Sequence, residues 1–146
     1  ACEERVAVIG AKGQFPAVSI LGPTRPSSQV ELSASDARSI GIVAPCRESG
    51  DTASSGACKL VGPKGEVELN EGAIVAKRHI HMSTEDAKRF GVTNGQSVKV
   101  RFDTEKGGIM EDVIIRVDPT FTLEMHIDTD EANGLGVGKD MGILIK

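Results

Sequence analysis

The chain has no tryptophan, no tyrosine and only four phenylalanines among its 146 residues. Its cores must therefore be aliphatic. Cysteine is scarce as well: Cys2, Cys46 and Cys58 make an odd count and form no CxxC pair. That argues against a disulfide framework or a zinc finger and fits a reducing compartment. No apolar run approaches the roughly 20 residues of a membrane span, and the opening ACEERVAV lacks a signal-peptide core. These absences point to a cytoplasmic chain with no membrane partner. Strong charge is missing too: the net charge is −4, so nothing draws the chain globally to nucleic acid. An anionic substrate would have to be held by local positive groups.

What is present is branched aliphatic side chain. Valine and isoleucine number 14 and 12 against 7 leucines, and branching at Cβ suits pleated sheets better than helices. The pattern predicts strands at 5–9, 17–21 and 29–32, a hairpin over 59–69 with its turn at Gly62–Gly65, and one strand over 73–82. Further strands are expected at 98–102, 112–117, 123–128 and 143–145. Short helices are expected at 33–39 and 83–90, capped by Ser33 and Ser83. The glycines at 134, 136, 138 and 142 predict a loop-like stretch before the last strand, and 44–56 reads as a loop.

An internal repeat organises these elements. QVELSASDARSIGI from Gln29 aligns with HIHMSTEDAKRFGV from His79, which sets Glu31 opposite His81. The expected fold is mainly β with short α-helices, as two small β-barrel-like units capped by helices, 1–76 and 77–146.

All three histidines are placed suggestively. His79 and His81 stand two apart on a strand, so both face one side while Ile80 faces the other. His126 lies on the polar side of LEMHID. Such a pair is also the pattern of a hydrogen-bonded surface HxH, but a third strand histidine matches a catalytic zinc layout of three His and one open position. Arg25, between two prolines in LGPTRPSSQ, suits a phosphate, although a solvated loop arginine reads the same. Arg47, Glu48 and Asp51 form a polar loop that could line a cleft.

The segments LGPTRPSSQVELSASDARSIGI, CRESGD, LVGPKGEVEL, KRHIHMSTEDAKRFGV and LEMHIDTDEAN resemble the phosphate propanoyltransferase (PduL-type) family over nearly the whole chain. The resemblance implies two β-barrels with two metal ions, usually zinc. His79, His81 and His126 would hold one zinc, Glu31 would ligate the second, and Arg25 would clamp phosphate. It also implies acyl-CoA or CoA and phosphate as partners, a homo-oligomer as one option, and a bacterial microcompartment as one location. The family's N-terminal segment, with a further HxH pair and strands for both barrels, has no counterpart here. One complete metal site and little activity of the chain alone are therefore expected.

Two other readings stay open. One is a cupin-like metalloenzyme using the same histidines. The other is a metal-free binding module, since DAKRFGVTNGQSVKVRF also resembles half of a double-psi barrel.

Overall fold

In the computed structural model, which describes residues 2–139 and 141–145, backbone pairing sorts the strands into two sheets, and the chain divides into compact units meeting at Ala76 and Lys77.

The first unit begins with β1 (Arg5–Ile9) and β2 (Gln14–Ser19) as an antiparallel hairpin. The second strand starts three residues earlier than the sequence suggests. Pro16, which cannot donate a backbone hydrogen bond, is tolerated because β2 is an edge strand and the register shifts opposite Ala7. Next come β3 (Val30–Glu31), α1 (Ala34–Ile40) and β4 (Cys46–Arg47), a short strand within the expected loop. The hairpin β5 (Gly56–Gly62) and β6 (Gly65–Ala76) closes the unit. The sheet order is β2-β1-β5-β6-β3, with β4 also paired to β6. Val8, Leu32, Ile40, Ile42 and Ala73 fill its core.

The second unit opens with β7 (His79–Met82), followed by α2 (Thr84–Phe90), β8 (Ser97–Phe102) and β9 (Gly108–Val117). Then come β10 (Glu124–His126), α3 (Thr129–Leu135) and β11 (Gly142–Ile145). The sheet order is β10-β7-β9-β8-β11. Its core takes Ile80 and Met82 from β7, Val98, Val100 and Phe102 from β8, and Val113 and Ile115 from β9. Each sheet curls into a half-barrel, and the described residues are mainly β with three short helices, as the composition implied.

Two expectations need correction. The strand foreseen over 73–82 is two strands, interrupted at Lys77 and Arg78. Its first part pairs with β3 and β4, whereas its second pairs with β9 and β10. The supposed loop after His126 contains α3, whose first turn is closed by a capping box between Asp128 and Glu131. Gly134 lies inside this helix, and Gly136 ends it in the left-handed conformation that glycine adopts without steric cost (φ 64°).

The repeat is visible atom by atom. Ser33 accepts from the Asp36 amide at 3.1 Å, and Ser83 accepts from the Asp86 amide at 3.1 Å. Gly41 and Gly91 end the two helices with φ of 76° and 64°. In both units the strand before the helix runs parallel to the second strand of the hairpin that follows.

Candidate metal centre

The second unit collects the histidines. β7 lies between β9, parallel to it, and β10, antiparallel to it. The β10 register sets His126 opposite His79 and Glu124 opposite His81. Because alternate residues share a face, Ile80 and Met82 enter the core while His79, His81 and His126 gather on the other side. Their ring centroids are 4.8 Å (79 to 81), 4.9 Å (79 to 126) and 4.4 Å (81 to 126) apart.

One ligand nitrogen from each ring lies within 4.8 Å of the others. A tetrahedral ion with Zn–N bonds of about 2.0–2.1 Å needs nitrogens roughly 3.4 Å apart. Side-chain rotations that draw the rings together by about 1 Å would meet that need. Three further details suit an ion. Nδ1 of His79 lies 2.9 Å from the Lys77 carbonyl; a carbonyl only accepts, so Nδ1 carries the proton and Nε2 is the nitrogen for a metal. Nε2 of His126 is buried without a hydrogen-bond partner. A Glu124 carboxylate oxygen lies 3.5 Å from it, a distance that would count as an ion pair were the ring charged, but without hydrogen-bond geometry. A buried polar atom left so is uncommon and calls for an explanation such as an ion. Finally, burial, together with the neighbouring His126, His79 and Arg116, pushes the His81 imidazole down to about 4. It is therefore neutral at pH 7, the form that binds metal.

Sequence reading overlooked Phe121, whose ring stacks on His81 with centroids 4.1 Å apart and planes 17° apart. It follows the Asp118-Pro119 turn, where the Phe121 amide donates to the Asp118 carbonyl at 3.0 Å. No periodic pattern marks a turn residue for such contact.

The first unit gathers a different set. Arg25 is exposed, and its Nη1 donates to Ser49 Oγ at 3.4 Å. Ser49 Oγ donates in turn to Glu31 Oε1 at 3.2 Å. Gln29 ties the group together: its Nε2 donates to Glu31 Oε1 at 2.6 Å and to Ser49 Oγ at 3.0 Å. Its Oε1 accepts from the Gly50 amide at 2.7 Å. Arg25 and Glu31, singled out from the sequence, are thus joined through Ser49, a residue of the CRESGD loop that was not singled out. Within that loop Arg47 and Asp51 form an ion pair at 3.7 Å. The arrangement offers a guanidinium, a carboxylate and a hydroxyl on one surface.

Residues 1–138 match the family described as phosphate propanoyltransferase. The chain is 52% identical over 138 residues to the phosphate propanoyltransferase of Shewanella putrefaciens, covering 94% of this chain and 65% of that protein. It is 52% identical over 134 residues to that of Lachnoclostridium phytofermentans, covering 91% and 63%. With that of Salmonella typhimurium it shares 50% identity over 137 residues, covering 93% and 65%. The chain therefore spans just under two thirds of the length of these relatives.

Proposed function

The chain belongs to the phosphate propanoyltransferase family, and from that premise we propose that it supplies the central chemistry of a phosphate acyltransferase. The reaction moves a short acyl group, propanoyl or acetyl, between coenzyme A and inorganic phosphate. A phosphate oxygen attacks the thioester carbonyl carbon, the C–S bond breaks, and coenzyme A leaves as the thiolate. No covalent acyl-enzyme is required. The cytoplasm is the proposed setting, with a bacterial microcompartment as one such place.

The observation that carries this reading is the trihistidine cluster with its orphaned His126 Nε2. His79, His81 and His126 would hold a zinc ion, and Glu31 would contribute to a second. Zinc bound there would supply a Lewis acid for an anionic oxygen. The protein's own groups do the rest. The Lys77 carbonyl keeps the His79 proton on Nδ1, and Phe121 shields one face of His81. Arg25 presents a fork that matches two phosphate oxygens and offsets the charge developing at the carbonyl. Holding phosphate and thioester together makes the attack effectively unimolecular.

Phosphate-dependent release of free thiol from propanoyl-CoA tests the reading. Chelation should abolish it and added zinc restore it. Arg25→Ala should lower it by about 100-fold or more, the loss typical of one charge-stabilising donor. Turnover indifferent to both chelator and Arg25→Ala contradicts the proposal.

A further inference from the structure

His126 closes a strand of only three residues, so pairing with β7 alone is a slender means of holding its ring against His79. A second attachment lies just beyond it. The Asp128 amide donates to Glu131 Oε2 at 3.0 Å, and the Glu131 amide donates to Asp128 Oδ1 at 2.8 Å. These bonds close the first turn of α3. The other carboxylate oxygen of Glu131 accepts from Arg78 Nη1 at 3.0 Å. Arg78 immediately precedes His79, and its Nε donates to the Glu111 carbonyl on β9 at 2.8 Å.

One carboxylate therefore shapes the turn that follows His126 and at the same time grips the residue before His79. The guanidinium at the far end of that grip is itself fixed to the neighbouring strand. The bridge is mostly shielded, with side-chain exposures of 30% for Arg78 and 22% for Glu131, so it escapes much of the screening that makes surface pairs weak. A lysine would replace Arg78 only in part, because donation in two directions needs the planar fork.

We infer that Arg78 and Glu131 are positioning residues for the trihistidine centre, locking the β10–α3 segment to the start of β7 so that His126 meets His79. This rests on the metal reading above. Neither residue touches the ion or the substrate; both act through the histidines.

Zinc affinity, measured on the whole chain by competition with a chromophoric chelator, is the test. Glu131→Gln keeps an acceptor for the α3 turn but loses the charge partner, and Arg78→Met removes both donors. Each should weaken zinc binding about 10-fold, the lower end of what is lost when a partner that orients a metal ligand is removed. The double variant should be no weaker than the worse single one, since both break the same link. Arg101→Met, which removes an exposed ion pair with Asp103 at the end of β8, should leave the affinity unchanged. Should Arg78→Met fail to fold, Arg78→Lys takes its place, with a smaller loss in the same direction.

A metal-independent readout separates this inference from the metal reading. His79 and His126 are stacked 6° from parallel, so their imidazole NMR resonances, recorded without added zinc, report the alignment, and Glu131→Gln should shift them. A wild type that binds zinc, with both variants within twofold of it and the resonances unmoved, overturns the positioning role alone. A wild type that binds no zinc overturns the metal reading, and the resonances then decide the positioning role by themselves.

Discussion

The segments before the two capped helices share a backbone and differ in chemistry. Ser33 and Ser83 cap alike, Ala37 and Ala87 are both buried, and Leu32 and Met82 both face a core. Yet Gln29 and Glu31 stand where the other unit has His79 and His81. The neighbours differ too. β7 has β10 on its outer side, and that strand delivers His126. β3, at the end of its sheet, has only β6 among the described residues. Glu31 is accordingly engaged by hydrogen bonds from Gln29 and Ser49 rather than by a cross-strand imidazole. One local frame can thus present either a carboxylate within a polar network or a three-imidazole cluster. The side chains two apart on the strand, and the strand paired beside them, decide which.

The matched positions allow that comparison to be broken piece by piece. The largest effect belongs to the core pair. Met82 is fully buried and Leu32 is 8% exposed, so Met82→Ala should cost about 2–5 kcal/mol and Leu32→Ala should fall toward the lower end of that range. Denaturant unfolding measures both, and a larger loss at Leu32 would contradict the packing described.

The caps come next. Ser33→Ala and Ser83→Ala should each cost about 1 kcal/mol. Ser83 should cost the more, because its hydroxyl also donates to Asp86 Oδ2 at 2.8 Å. Equal losses at the two serines would show that the fuller capping box adds nothing.

A further comparison is the pH response that distinguishes a histidine strand from a glutamate strand. Burial, above all, pushes the His81 pKa from the usual 6.5 down to about 4 in the folded chain. Between those values the unfolded chain binds a proton that the folded chain does not, so acidification favours unfolding. The contribution is complete above about 6.5 and is lost as pH falls toward 4. Unfolding curves of the zinc-free chain from pH 7 to 4.5 should show this decline, and His81→Gln should flatten it. An unchanged slope in the variant would contradict the assignment.

Much of this was legible in the residues themselves. Alternation and Cβ branching marked the strands, and the capping serines Ser33 and Ser83 marked α1 and α2. The 50-residue offset between Gln29 and His79 exposed the repeat before any coordinates did. α3 went unread because its glycines masked a helix whose Asp128-x-x-Glu131 box was present all along. The break at Lys77 and Arg78 was hidden because an apolar run shows no seam where its pairing partners change. The HxH spacing pointed to a shared face, but sequence periodicity cannot state a register. Strand pairing alone sets His126 opposite His79. Phe121 reaches His81 from a turn, the Arg78–Glu131 bridge flanks the histidines from a helix start, and in the other unit Ser49 reaches Glu31 from a loop, places where no repeating pattern announces contact.

Three imidazoles from β7 and β10 are proposed to form one metal centre, and a zinc count on the purified chain decides it. One tightly held zinc per molecule is expected at the trihistidine cluster, removable by chelator and absent from His126→Ala. A chain that takes up no zinc, or a His126→Ala chain that keeps its full complement there, would contradict it.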